Sequence, residues 1–524
     1  MEYQTMEMFF SDLRNYHILS TPQQENVSRL TEISEKFHTK AGIRRNDDLG
    51  KSSRIIVLES GHQPNFFPYS GTWKKAFLLD RIRKSLIREG GDPAVAFFGL
   101  ADQNISTARL LSKNQIPALN KNGYLKIGFK IKEENKSRSF NHSQKPSADQ
   151  WQGEIDKIGQ YYHTLSKKNK IGDEFPESQL EQIFHIMWKS YDLAENFAEL
   201  NALVFAKICR EIFNLDLSFF LYSDMHKEKM FLQESGTVLR NLESFNRIYN
   251  SEIAEKGLDI PMVPHNHLPF WYECECGEKL DLFIDDSGTC KVTCSSCKKN
   301  YNLSFDNDFA NLWEYFGSMD FNAVSRNIIM AEGLGDSLFL SGTGGSLRYG
   351  MISDRISRDI GFHRPLVLAW RSRDYYLGRI HRAALHELMR TYSLIPRDIL
   401  AGSLLEKIAE ERSRISQNLA LARQCADQKK IKYWTGMQGS AANLAVFIHN
   451  MFTATPSCFD LLANFDRHEI VNLWEQAILT PEIRKTDSIH QIHADILYAV
   501  PQFHDLQPAD LPELYRQIGT IGVD

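Results

Sequence analysis

The sequence predicts an α/β protein, and three observations carry that prediction. Continuous apolar runs fall at residues 55–58 and 93–100, with strand-like segments at 217–222 and 336–340. Runs of that kind, bounded by turn residues, read as strands buried on both faces, which is the habit of a parallel sheet. Helix-compatible stretches lie between them, at 72–86, 151–213, 227–255 and 347–360. Polar clusters follow the runs directly, at the strand edge where open α/β sheets bind their ligands.

Bulk properties set limits. A chain of 524 residues is too long for one core, so about two to four domains are expected. Its 42% hydrophobic and 24% charged content places it among ordinary globular proteins. A net charge of −5 and a pI near 6.4 argue against a broad nucleic-acid-binding face. The start, Met1-Glu-Tyr-Gln-Thr, has no basic region followed by an apolar core, so no secretory signal is expected. No apolar run approaches the roughly 20 residues of a transmembrane helix. The expectation is a cytoplasmic protein with no membrane partner.

In chain order, residues 1–50 form a helical segment. Thr21-Pro22-Gln23-Gln24 supplies a capping hydroxyl, proline at the first helical position and a capping-box Gln24. Val27, Leu30, Ile33 and Phe37 then make a core-facing stripe. The first strand, from Ile55, meets Gly61 and Pro64, with His62, Gln63 and Asn65 crowded just past it. The helix that follows has Lys74 and Lys75 in its first turn. Helix amino ends present unpaired N–H groups and partial positive charge, so this corner suits a phosphate or carboxylate.

The second strand, 93–100, runs into Asp102-Gln103-Asn104 at the equivalent edge. Residues 131–150 are hydrophilic and read as a surface loop. Helices carry an apolar stripe through Leu180, Ile183, Ile186, Met187 and Leu193. The third strand, 217–222, is closed by Asp224 and His226, two weaker site candidates.

The most specific motif is built from cysteine. Five of the eight cysteines fall between Cys274 and Cys297, and without a secretion signal that clustering favours metal over disulfides. Cys274-x-Cys276 and Cys294-x-x-Cys297 are two close pairs, each on a tight turn, able to offer four thiolates to one tetrahedral Zn²⁺. Residues 279–293 read as a hairpin turning at Asp286-Ser-Gly288, which completes a zinc ribbon at 261–305. Cys290, His265 and His267 are the alternative ligands. A closed four-thiolate site holds structure and leaves no position for water.

The core resumes at 306–375. Strand 336–340, the loop Ser341-Gly342-Thr343-Gly344-Gly345-Ser346 and a helix form a phosphate cradle. The loop is neither a Walker A sequence nor a Gly-x-Gly-x-x-Gly fingerprint. Arg348, Arg371 and Arg373 follow near its rim, suited to bidentate anion binding. Residues 376–524 read as helical. Leu404, Ile408, Ile415, Leu419 and Ala422 recur at helical spacing, as in a helical hairpin or coiled coil. His490 and His493 read as surface or partly buried histidines in a short helical region.

His62-Gln63-Pro64-Asn65-Phe66-Phe67-Pro68-Tyr69, with Gly71, Trp73 and Lys75, resembles the opening motif of the WbqC-like proteins and the His-Gln-Pro motif of the bacillithiol synthase family. Ser325-Arg326, Gly342-x-Gly344-Gly345, Tyr349 and the Pro365 to Arg371 strand also resemble bacillithiol synthase. The chain departs from that family where Gln103 and Asn104 stand in place of a histidine, where Gly345 stands in place of proline, and in its ribbon. The resemblance implies a Rossmann-like, nucleotidyltransferase-type core at 51–260 and 306–375. It implies a ligase that joins a cysteine-like amino acid or thiol to a small acceptor, with ATP or ADP as nucleotide and a homodimer through the carboxyl-terminal helices. His62, Lys75 and Asp102 would be catalytic. Gln63, Asn65, Lys74, Gln103, Asn104, Ser341 to Gly345, Arg348, Tyr349, Arg371 and Arg373 would bind substrate or nucleotide. The alternatives are a WbqC-like transferase acting on activated sugars and a non-catalytic ribbon scaffold that binds nucleic acid or protein.

Overall fold

The computed structural model describes residues 3, 4, 9, 13, 19–44, 55–90, 93–108, 110–118, 120, 122–132, 135–168, 177–342, 344–372, 374–384, 404–453, 457–479, 481–486 and 489–499. Its framework is an eight-stranded sheet. In chain order the strands are β1 (Tyr3–Gln4), β2 (Ile56–His62), β3 (Ala94–Leu100), the hairpin β4 (Lys113–Pro117) and β5 (Tyr124–Gly128), and β6 (Ser218–Leu221). The ribbon contributes β7 (His267–Glu273), β8 (Lys279–Phe283), β9 (Thr289–Thr293) and β10 (Asn300–Ser304). Then come β11 (Met319–Phe321), β12 (Leu338–Ser341), β13 (Leu366–Arg371), β14 (Asp374–Leu377), β15 (Glu482–Thr486), β16 (Ile489–His493) and β17 (Ile496–Ala499).

The large sheet runs β1-β15-β16-β13-β12-β2-β3-β6. Its six strands from β16 to β6 are parallel, with β15 and β1 added antiparallel at one edge. Taken in chain order, the parallel six lie as 3-2-1-4-5-6, so the direction in which the sheet grows reverses between β2 and β12.

Strand alternation divides the apolar residues between two cores. Leu58, Ala96, Phe98 and Phe219 face one, with Trp73 and Phe77 from the helix α2 (Ser70–Ser85). Val57, Val95, Phe97 and Phe220 face the other, with Val27, Leu30 and Ile33 from the helix α1 (Thr21–Ala41). All seven positions of β3 are buried, as a strand covered on both sides requires. Helices α3 (Ala148–Lys168), α4 (Glu177–Leu193) and α5 (Phe197–Lys207) lie between β5 and β6. The short α6 (Tyr222–Lys227) leaves β6, followed by α7 (Leu232–Arg240) and α8 (Leu242–Lys256). Helices α9 (Ala323–Leu334) and α10 (Gly345–Ile360) flank β12.

Three expectations need correction. The cap of α1 is Ser20, whose N–H donates to Gln23 Oε1 at 2.9 Å, one residue earlier than the Thr21/Gln24 pairing. Cys-bearing turns join β7 to β8 and β9 to β10, so the ribbon is two hairpins, and β8 and β9 belong to different sheets. Each cysteine turn folds its own flanking strands together, and the Asp286–Gly288 turn merely connects them. The carboxyl-terminal region is not wholly helical. After a helical hairpin, α11 (Leu404–Gln424) and α12 (Gln428–Thr453), and the helices Cys458–Asn464 and Arg467–Leu479, β15 and β16 join the large sheet. His490 sits on β16, 2% exposed against the ring of Phe9. The alternating Ile489, Gln491 and His493 pattern is short, and pairing with β13 decides it.

Candidate functional site at the carboxyl edge of the sheet

β2 and β12 are neighbours, paired at Leu340 and Ser60, and the Ser60 hydroxyl donates to the Leu340 carbonyl at 2.8 Å. The loop after His62 and the glycine-rich loop after Ser341 therefore leave the sheet side by side, where the strand order reverses.

His62 is half-buried there. Its Nδ1 lies 2.9 Å from the Gln63 carbonyl, and its Nε2 lies 3.3 Å from Thr72 Oγ1 at the start of α2. A carbonyl only accepts, so Nδ1 carries the proton and Nε2 takes one from the threonine hydroxyl. Burial, reinforced by the charge on Lys75, pushes the imidazole down to about 3. His62 is thus a neutral ring at pH 7, which removes the cationic role that a histidine beside phosphate suggests.

Lys75 is buried beneath it and donates to the Gly61 carbonyl, with its ammonium 5.6 Å from the Phe98 ring centre. Burial and then the Arg326 charge push it down to about 7, against the pull of Glu59. Glu59 is 2% exposed on β2 and accepts from the Tyr222 hydroxyl at 3.3 Å. The Arg326 guanidinium lies 4.9 Å over the Tyr222 ring. Asp336, fully buried before β12, is pushed well above the carboxylate range by burial and by the Glu59 charge. Glu59 too is raised, by burial, although Asp336, Arg326, Tyr222 and Lys75 all draw it back.

Five elements thus bring ionisable groups together under one sheet edge. Arg326 was visible in a motif, whereas Glu59, Tyr222 and Asp336 were hidden inside apolar runs. A carboxylate in the interior of an otherwise apolar strand is the signal that could have found Glu59. The tyrosine ring fits because Gly61 and Gly99 leave room. A Cβ on Gly99 would lie 2.5 Å from Tyr222 Cζ. Gly99→Ala is expected to displace that ring and to cost about 1–3 kcal/mol by overpacking, read as a lower Tm.

Asp102 follows β3 at the same edge, where the Ala101 N–H donates to the His62 carbonyl at 2.9 Å. Asp102 is buried and its Oδ1 accepts from the Ser223 N–H at 3.0 Å, capping α6. Burial, with the charges of Asp224 and Asp320 adding to it, holds its carboxyl near 7. Gln103 is buried with its Oε1 unpaired, and the Asn104 carbonyl accepts from Phe140. Asn65 is 4% exposed and faces the core beside Trp73 and Asn201. Lys74 is held just past the end of β13, in a buried ion pair with Asp374 at 2.5 Å and a bond to the Ser372 hydroxyl. Its ammonium is pulled down by burial despite that carboxylate.

At the glycine-rich loop, Ser341 donates to the Gly342 carbonyl, Gly344 is exposed, and no described side chain caps α10, which starts at Gly345. Arg348 is exposed in its first turn, and Tyr349 packs on the second core. Arg371 donates to Gln491 Oε1 at 3.2 Å on the neighbouring β16. Thr343 and Arg373 lie outside the described residues.

In the ribbon, the four sulfurs of Cys274, Cys276, Cys294 and Cys297 lie within 4.8 Å of one another. Adjacent pairs are 3.4 to 3.5 Å apart. Zn–S bonds of about 2.3 Å in a tetrahedron set sulfurs about 3.8 Å apart, so this donor set fits a four-coordinate ion. Gly277 at φ 87° and the Cys297 N–H, 3.4 Å from Cys294 Sγ, shape the two knuckles. Cys290 is buried in the second core and is not part of the cluster, nor are His265 and His267. The ribbon is pinned to the α/β body by Lys279, which bonds Asp320, itself 3.3 Å from His226 Nε2.

No described helix is long and apolar enough to cross a membrane. Comparison of the chain with protein-family models and with curated proteins gives no match.

Proposed function

We propose that the chain is a condensing enzyme, similar to bacillithiol synthase, that joins an amino acid or thiol to a small acceptor between β2 and β12. The observation that carries this reading is the reversal of strand order at that point, with the His62 and Ser341 loops leaving it together. The order 3-2-1-4-5-6 is that of Rossmann-like sheets, which bind nucleotides in the crevice outside a reversal of this kind. ATP or ADP is the nucleotide proposed.

In this reading the uncapped amino end of α10, with Arg348, holds the substrate anion. An amine attacking an activated carboxyl carbon forms a C–N bond, expels an anion held at that helix end, and gives up a proton. Lys75, poised near pH 7, is the group suited to receive the proton, with Glu59 and Tyr222 behind it. His62, fixed by Gln63 and Thr72, positions the nucleophile through its neutral ring. Lys74, Asn65 and Asp102 act in this scheme through packing and capping. The α11–α12 hairpin leaves Leu421 57% and Tyr433 58% exposed, and a second copy is the proposed cover.

His62→Ala is expected to lower ligation about a hundredfold, the scale of losing a positioning contact, while moving Tm little. Product formation is read by mass spectrometry with amino-acid, nucleotide and acceptor mixtures. A large fall in Tm, or full activity in the variant, would make His62 a structural residue. Products formed only from sugar donors would replace ligation by glycosyl transfer.

A further inference from the structure

A second cavity, of about 510 Å³, opens beside the β4–β5 hairpin, and none of the residues assigned above to the β2–β12 crevice lines it. Register explains its chemistry. β4 and β5 pair antiparallel with Gln115 opposite Lys126 and Pro117 opposite Tyr124. Alternation then buries Asn114, Ile116 and Ile127 and turns Lys113, Gln115, Tyr124 and Lys126 outward on one face. All four line the cavity, and Lys130 and Lys136 join them.

Four lysines therefore line one open cavity with no carboxylate among its described lining residues, in a chain whose net charge is −5. Lys113, Lys126 and Lys130 have no ion-pair partner among the described residues. Like charges gathered this way repel one another, and the gathering is relieved when an anion enters. The half-buried Tyr124 ring beside them adds a platform for a flat ring. The volume lies in the range of small-ligand sites, too confined for a polymer track.

We infer that this cavity is a binding site for a multiply phosphorylated nucleotide, its phosphates on Lys113, Lys126 and Lys130 and its base against Tyr124. The site is separate from the proposed condensing crevice. It touches the His-Gln-Pro loop from behind, because Asn114 Nδ2 donates at 2.6 Å to the Phe67 carbonyl, and Phe67 sits at φ 47°. Occupancy thus bears on a loop held in a left-handed conformation that a bulky residue rarely adopts.

The test is calorimetric titration of the full chain with ATP and, separately, inorganic tripolyphosphate. A saturable component assigned to this cavity is expected for each, with ATP the tighter, beside any ATP bound in the proposed β2–β12 crevice. Lys113→Glu/Lys126→Glu should weaken binding at least tenfold, Lys113→Arg/Lys126→Arg should retain it, and His62→Ala should leave it unchanged. Tyr124→Ala should weaken ATP and leave tripolyphosphate unaffected. Absence of saturable binding, or binding insensitive to the double glutamate variant, overturns the assignment. So does loss of the same site in His62→Ala, or a single-stranded oligonucleotide that binds tighter than ATP.

Discussion

The purified chain is expected to carry one zinc ion, and removing it is expected to unfold the segment from β7 to β10. This ribbon has almost no core of its own. Its interior cluster consists of Cys274, Leu280 and Cys294, with four partly buried neighbours including Cys276 and Tyr301. Pieces of about 40 residues or fewer rarely hold together without a metal or disulfide. Structural zinc in finger peptides supplies about 10–16 kcal/mol of apparent binding energy at pH 7, and that energy is folding energy. Four sulfurs already gathered around one point are the part of the ribbon that a metal would lock. Elemental analysis gives the stoichiometry, and hydrogen exchange before and after chelation reads the local unfolding. Cys294→Ser should lose both zinc and protection. A metal-free chain whose ribbon amides stay protected would show that packing alone holds it.

Asp320→Ala is expected to destabilise the protein by about 3–5 kcal/mol, because it leaves Lys279 buried without its counter-charge. The Lys279 side chain is 5% exposed and Asp320 8%, so water cannot take over. His226 loses its neighbour as well. Burial alone would raise the Asp320 carboxyl, but Lys279 and His226 outweigh it and hold the group at about 2. An unfolded aspartate titrates at about 3.9. The folded value is the lower one, so this stabilisation is complete above about pH 4 and is lost as pH falls toward 2. Denaturant melts across that window should show a shallower acid limb in Asp320→Ala than in the parent. Equal slopes, or a loss below about 1 kcal/mol, would mean that the pair is not what joins ribbon to body.

The strands were legible because being buried on both faces leaves a run with no polar alternation. Residues 93–100 show this plainly, and β3 is buried at every position. The cysteine knuckles were legible because ligand spacing is local: two turns, each three or four residues long, hold the donors. The roles inside the site were less so. His62 and Lys75 reach the same edge, but the desolvation that leaves the imidazole a neutral ring is not written in the residue pattern. Lys74, adjacent in sequence to Lys75, has a different partner because successive positions on a helix are about 100° apart, and Asp374, three hundred residues on, claims it. β15 and β16 escaped notice because short polar strands are specified by the neighbours they pair with.

By itself the sequence determined the α/β class, the approximate places of the buried strands, and the four-cysteine knuckle. These depend on contacts a few residues apart or on the simple requirement that apolar surface be hidden. Only the tertiary structure decided the strand order, with its reversal between β2 and β12, and the company kept by Glu59, Tyr222, Arg326 and Asp336. Those four groups come from four separate segments, and the two carboxyls are set by burial and by their neighbours, which no local pattern encodes.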